Sequence, residues 1–335
     1  MFDPAHDLAL AVGVRHFNPP AFVQRMAEDL AGLAVWCDGP WGWNYDARAA
    51  MLRSGTPAAA LPSDDDLHAL RRLSSRERTT EILRAFADLC PAVAPPRRLA
   101  DAAELAAVLA EAEAAQRPIV LKSPWSSSGR GLMRYLPTGD SGPDRRSLDT
   151  LRRHGEAVIR RMGCVMAEPW YTTKRRDFAM LFRIGRDGIV WEGYSLFETD
   201  AQGTYRSGLL ASDERIESIL CADADAAADG AALLRGRLAA IRERYGQVIL
   251  PRLFDALMER PWEVGYVGID MMTLDHGNGI GVHPCVEMNV RCTMGVVARH
   301  AFDRGATAGR EGWLRIVTRP DGHFAAEIDA PAFAP

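Results

Sequence analysis

Two hydrophobic rhythms run along the chain. Apolar positions recurring every three to four residues predict helix; alternation, or a short unbroken apolar run, predicts strand. Leu105, Val108, Leu109 and Ala112 fall at i, i+3, i+4 and i+7, and Asp101 with Glu104 has capping-box spacing, so a helix begins there. Pro118 ends it, and Ile119-Val120-Leu121-Lys122 reads as a buried strand running into a serine- and glycine-rich loop. A helix is predicted over 144–162, then a strand over Cys164–Trp170. Asp177–Ile184 and Ile189–Phe197 alternate around a turn at Arg186-Asp187-Gly188. A helical stretch covers 223–259, and a second hairpin pairs Tyr266–Leu274 with Ile280–Arg291 around Asp275–Gly279. A helix near 294–304 and a hairpin turning at Pro320-Asp321-Gly322 follow.

Ahead of these, a helix is predicted over Arg76–Leu89. The first 90 or so residues read as short strands and helices interrupted at Pro19-Pro20, Gly39-Pro40 and Gly55–Pro57. Three prolines in Pro91–Pro96 mark a connection between units. Helices and strands mix without strict βαβ order, which predicts the α+β class rather than one doubly wound sheet.

With 335 residues the chain can build two or three packed units. Its 40 basic and 44 acidic residues leave a net charge of −4, so nothing in the bulk charge attracts nucleic acid or an anionic membrane, and neither is expected as a partner. The N-terminal Met1–Val14 carries acids and a proline rather than a basic leader, and no apolar run reaches eighteen residues. The six cysteines lack CxxC pairs and read as reduced thiols of a cytoplasmic protein. Only two of the 40 basic residues are lysines, Lys122 and Lys174. Where arginine fills nearly every cationic position, a retained lysine hints at a site needing a compact ammonium. For Lys174, beside Arg175 and Arg176, a solvated loop charge accounts for it equally well.

Three segments carry candidate chemistry. In Val286-Glu287-Met288-Asn289-Val290-Arg291, strand periodicity puts a carboxylate, an amide and a guanidinium on one face. If the preceding loop centres on Asn278, Asp270 pairs opposite about residue 286, so Asp270, Glu287 and Asn289 can converge as hard oxygen ligands suited to Mg²⁺. A surface charge ladder, or a buried Glu–Arg pair, explains the same pattern. In the loop after Lys122, residues Ser126, Ser127, Ser128, Gly129, Arg130 and Gly131 let successive N–H groups approach an anion, though a flexible turn has the same composition. No GxxxxGK[ST] and no GxGxxG opening a βαβ unit occurs. In the third segment, Glu168, Pro169, Trp170 and Tyr171 suit either a purine slot or an ordinary core strand with an aromatic end.

In this order and spacing, the segments resemble the ATP-grasp superfamily over roughly 76–300. The resemblance implies a fold in which two α+β domains close on Mg-ATP: a pre-ATP-grasp-like segment over 1–96, a central lid over 97–168 and a C-terminal subdomain with the metal site over 169–335. Lys122 and Ser126–Gly131 correspond to the lysine and phosphate-covering loop, and Glu168–Tyr171 to the strand that contacts adenine. Asp177 sits where an acid often holds the ribose hydroxyls. Asp270, Glu287 and Asn289 match the metal ligands, for Mg²⁺ or alternatively Mn²⁺, and Arg291 completes an ExNxR form. Arg76 stands where the family has a phosphate-contacting lysine, with Arg78 as its rival. The activity implied is ADP-forming ligation of a small-molecule or peptide carboxylate to an amine or thiol through an acyl phosphate, with Lys122 and Arg291 as catalytic cations. Alternatives are a phosphotransferase on the same site and a non-catalytic ATP-binding module.

Other positions read more plainly. His6 and Asp7 suit a turn, His283-Pro284-Cys285 makes a poor zinc site, and Trp41 with Trp43 suits packing. Arg183, Glu198, Tyr205 and Arg206 are either a substrate dock or a solvated hairpin.

Overall fold

The computed structural model describes residues 2–126, 131–137, 148–200, 203–224, 229–276 and 279–329. No strand precedes Arg97 among them. The mixed α/β segment expected over 1–96 is helical: α1 (His6–Val12), α2 (Ala21–Asp29), α3 (Tyr45–Arg53), α4 (Asp64–Leu73) and α5 (Glu77–Ala85), with two short 3₁₀ turns. Local chemistry explains the difference. Ser63 and Asp66 form a reciprocal capping box at the start of α4, and its buried Leu67 and Leu70 stand three apart, not two. Asn44 caps α3 by accepting from the Ala47 amide.

Residues 97–169 build a four-stranded antiparallel sheet in the order β1 (Arg97–Leu99), β4 (Val165–Pro169), β2 (Ile119–Lys122), β3 (Leu132–Tyr135). Helices α6 (Ala102–Ala114) and α7 (Leu148–Met162) cover it, burying Leu105, Leu121, Leu151 and Val165 in its own core. The close approach of α7 requires Gly155, where a Cβ would stand 2.6 Å from Leu105 Cδ2.

The larger sheet is antiparallel in the order β11 (Phe324–Asp329), β10 (Gly312–Thr318), β7 (Tyr205–Leu210), β6 (Gly188–Thr199), β5 (Lys174–Gly185), β8 (Gly265–Asp275), β9 (Ile280–Asn289). The class is therefore α+β. Alternation on β5 divides the two faces. Phe178, Met180 and Phe182 pack with α4, α5, α8 (Asp213–Ala222), α9 (Gly230–Arg244) and α10 (Leu250–Met258). Ala179 and Leu181 face a second core formed with α11 (Met294–Asp303) and the 3₁₀ turn Ala31–Trp36. Fully burying an aromatic or aliphatic side chain of this size contributes about 1.5–3 kcal/mol. The helical stretch predicted over 223–259 is found as α9 and α10 joined by a π-turn at Tyr245–Ile249, while α8 begins earlier, where Ser212 caps it.

The cysteines need a correction. Cys37 and Cys292 are joined in a disulfide, and Cys90, Cys164, Cys221 and Cys285 are buried free thiols. A separation of 255 residues hides such a pair from any reading of spacing. No helix among the described residues is long and apolar enough to cross a membrane.

Candidate functional site

Three neighbouring strands build the site floor. Across β5, β8 and β9 the register aligns Ala179, Asp270 and Glu287 in one row, and Gly268 with Asn289 next to it. Strand parity points Asp270, Glu287 and Asn289 to the same side. Asp270 lies directly opposite Glu287, one residue from the expected pairing, and a register shift after Asp270 brings Met272 opposite His283. Asn289 donates from Nδ2 to Asp270 Oδ2 at 3.0 Å. Burial, reinforced by the Glu287 carboxylate, pushes Asp270 up to about 7. A half-buried carboxylate facing a second carboxylate, with an amide beside it, is a donor set that a hard divalent cation satisfies; Mg²⁺ takes one or two protein carboxylates and completes its shell with water and phosphate oxygens. The residues present fit that ion.

Arg76 spans the gap between the two sheets. It sits at the N-cap position of α5, where its buried guanidinium donates from Nη1 to Ser123 O (2.9 Å) and Ser126 Oγ (2.7 Å), and from Nη2 to Glu287 Oε2 (2.6 Å). A Glu–Arg pair of the kind that competed with a metal site in the sequence is present, but half-buried and with its arginine from α5 rather than from β9. Arg78 instead pairs with Glu81 and is 40% exposed. The loop after Lys122 is tied to the N-terminal helices again through Trp125, whose Nε1 donates to Arg71 O and whose ring lies under the Arg71 guanidinium at 3.9 Å.

On the small sheet, Lys122 and Glu168 form a buried ion pair at 2.5 Å. Glu168 keeps its second oxygen, Oε1, without a hydrogen-bond partner. His283 stands close enough for the Lys122 ammonium to act on it. Burial and then that charge push the imidazole down to about 3, so it is neutral, and its Nδ1 is also unpartnered. Two unsatisfied buried acceptors or donors between the sheets are what a bound polar ligand would relieve. Tyr171 meets His283 edge-on with ring centroids 5.4 Å apart and accepts at its hydroxyl from the Ala94 amide. Trp170 lies under Arg134 at 4.7 Å, and Pro169 ends β4. Asp177 accepts from Lys174 Nζ (2.6 Å) and Thr199 Oγ1 (2.7 Å), on the strand next to Asp270. Lys174 is therefore paired rather than merely solvated.

Arg291 is held differently from a free catalytic cation. Nε and Nη2 donate to both oxygens of Asp7 at 2.8 and 2.7 Å, Nη2 also to Asn289 Oδ1 at 3.0 Å. Asp7 and its neighbour His6, read from sequence as a turn, sit in α1 against this strand. His6 is buried, with Nδ1 3.2 Å from Asn44 Nδ2. No spacing signal links residue 7 to residue 291, so sequence reasoning had no means to find the pair.

Ser126 and Gly131 flank the expected phosphate loop, with Gly131 in the left-handed region at φ 75° and the Ser123 amide donating to its carbonyl at 3.4 Å. Ser127, Ser128, Gly129 and Arg130 lie outside the described residues. The four residues of the suggested dock lie on β5, β6 and β7. Arg183 pairs with Glu192, Glu198 accepts from Ser207, Arg206 pairs with Asp200, and the Tyr205 hydroxyl is buried.

No family model matches the chain, and no curated protein matches it in sequence. Among solved structures it is similar to an N5-carboxyaminoimidazole synthetase from Staphylococcus aureus in complex with ADP (11% identity, TM-score 0.44, covering 75% of this chain and 58% of that one). It is also similar to a biotin carboxylase domain of Hydrogenobacter thermophilus 2-oxoglutarate carboxylase with MgADP, ADP and bicarbonate (12%, 0.47, 91% and 65%). A D-alanyl-alanine synthetase A from Vibrio cholerae is a third (12%, 0.39, 68% and 57%). In each case this chain spans less than two thirds of the other protein's length. Likenesses this loose do not carry an activity across.

Proposed function

We propose that the chain is an ATP-grasp-type ligase that uses Mg-ATP to join a carboxylate to an amine, releasing ADP and phosphate. The observation that carries this reading is the convergence of Asp270, Glu287 and Asn289 on one sheet face, with Arg76 linking that face to the loop after Lys122. Mg²⁺ held by Asp270, Glu287 and Asn289 would supply positive charge to the phosphate oxygens.

The rest falls to the chain's own groups. Lys122 lies at the end of β2 next to the loop and contributes a point charge, balanced at rest by Glu168. Arg76, already bonded to Ser126 and Glu287, is placed to bond phosphate oxygens, and would be released from Glu287 with that carboxylate held as a metal ligand. Arg291 lies beside Asn289, where it neutralises charge on the reacting carboxyl group. A carboxylate oxygen of the substrate forms a bond to the γ-phosphorus while the bond to the β,γ-bridging oxygen breaks, and that electron pair leaves with ADP. The amine nitrogen then bonds to the acyl carbon; the carbon–oxygen bond to phosphate breaks, and the nitrogen releases its proton. Glu168–Tyr171 with His283 form the slot for the base, and the unpartnered Glu168 Oε1 and His283 Nδ1 are the groups left to bond it.

The test is ADP release across carboxylate and amine libraries, after a thermal-shift measurement with Mg-ATP. Glu287→Ala should abolish turnover while leaving the fold intact. Near-wild-type turnover in that variant would falsify the metal assignment, and a stable phosphorylated product formed without any amine would make the protein a phosphotransferase.

A further inference from the structure

A second cavity shares no lining residue with the cleft around Arg291. It opens between α3, the 3₁₀ turn Ala58–Ala60, the start of α4 and the segment ahead of β8, and holds about 410 Å³. Small-molecule sites ordinarily hold about 300–1,000 Å³. Apolar side chains make up most of its wall, chiefly Leu52, Leu61, Pro62 and Trp262. Trp262 is buried and meets Trp43 edge-on, with ring centroids 6.0 Å apart. The next residue, Glu263, accepts at its carbonyl from Trp43 Nε1 at 2.7 Å, so this wall is held in place by its own packing.

Two guanidiniums also line the space. Arg48 is braced by donating to Pro62 O at 3.1 Å and to Asp64 Oδ1 at 2.6 Å. Arg260 meets Asp66 Oδ1 through Nε at 3.0 Å, and its two Nη groups have no partner among the described residues. Asp66 uses its other oxygen to accept from Ser63 N and Oγ. Arg15, Arg48 and Arg260 share only Asp64 and Asp66 as ion-pair partners, and Asp65 is exposed and outside the lining. One positive charge is therefore left over beside an apolar space.

We propose that this cavity binds a small carboxylate with an apolar body, its carboxylate on the Nη fork of Arg260 beside Arg48 and its body against Leu52, Leu61 and Trp262. A planar carboxylate takes two parallel hydrogen bonds from one guanidinium edge, and its single charge matches the one left over. A phosphate monoester brings nearly two negative charges to the same place, and a neutral ligand leaves that positive charge unanswered. No nucleotide and no divalent ion enters this recognition, so it goes beyond the ligase reading and does not depend on it.

Calorimetric titration of the full chain, without nucleotide, tests this. The probes are 3-phenylpropanoate, indole-3-acetate, 4-methylpentanoate and octanoate, each beside its own carboxamide, together with inorganic phosphate. At least one carboxylate should bind with a Kd below about 1 mM, and its carboxamide and phosphate should each bind about tenfold or more weakly. Arg260→Gln should weaken that carboxylate by about tenfold or more, and Ala59→Trp, which puts an indole into the cavity from its exposed rim, should do the same. Weaker binding by every carboxylate, a carboxamide or phosphate within tenfold of the acid, or unchanged affinity in either folded variant would overturn the proposal. The comparison of acid with amide comes from the wild-type chain, whether or not the variants fold. With no ATP in the cell, its outcome is also independent of whether the chain proves to be a ligase.

Discussion

Replacing Arg76 by methionine keeps most of the aliphatic volume and removes three hydrogen bonds, to Ser123 O, Ser126 Oγ and Glu287 Oε2. Removing one partner of a fully buried ion pair costs 3–5 kcal/mol, and because Glu287 keeps 23% of its exposure the lower end applies, about 3 kcal/mol. With an unfolding entropy of about 2.1 cal/mol/K per residue, a 335-residue chain converts that loss into a melting point lower by roughly 4 °C. The same change uncovers Glu287 opposite Asp270. Mg²⁺ without nucleotide should therefore raise the melting point of Arg76→Met more than that of the wild type, where a guanidinium already occupies the carboxylate. Scanning calorimetry at neutral pH, with and without Mg²⁺, reads both effects. A variant melting within about 1 °C of wild type, or an identical Mg²⁺ response in the two proteins, would refute the view that Arg76 fills the cation's place.

Two further outcomes are expected. The Glu192 carboxylate at 3.4 Å raises His300 above its ordinary value, so the added stability is complete below about pH 6.5 and is lost as pH rises through the raised value; melting curves of His300→Gln should be flatter than wild type above that point, and parallel curves would contradict the ion pair. In Gly42→Ala the new Cβ would stand 2.6 Å from the His6 ring and 2.8 Å from Arg291 Cβ, which should cost about 1–3 kcal/mol in stability and reduce ATP turnover, measured by ADP release; wild-type values on both would show that His6 and Arg291 have room to give.

The strand chemistry was legible because period two is a strong constraint. Once Glu287, Asn289 and Arg291 were read as one face, a hairpin loop centred near 278 placed Asp270 within a residue of its observed partner. Arg76 and Arg78 were not separable by spacing, because which of two nearby residues turns inward depends on how α5 lies against β9. The N-terminal helices were misread as partly β because prolines and glycines chop their apolar stretches below the length at which period shows. Asp7 was invisible for a different reason: a long-range ion pair leaves no local pattern. The disulfide escaped on the same ground. The small sheet's outer strand β3 is only four residues long, too short for its period to show.

The Cys37–Cys292 bond turns most of the chain into a covalent circle. Arg76, Lys122, Glu168, Asp177, Asp270, Glu287, Asn289 and Arg291 all lie on that circle, and Asp7 lies on the tail outside it. A single protease cut anywhere on the circle leaves two pieces that migrate as one until a thiol reductant is added. A cut ahead of Cys37 instead sheds the tail outright and takes Asp7 away from Arg291. Gels run with and without reductant thereby sort damage to the tail from damage to the circle.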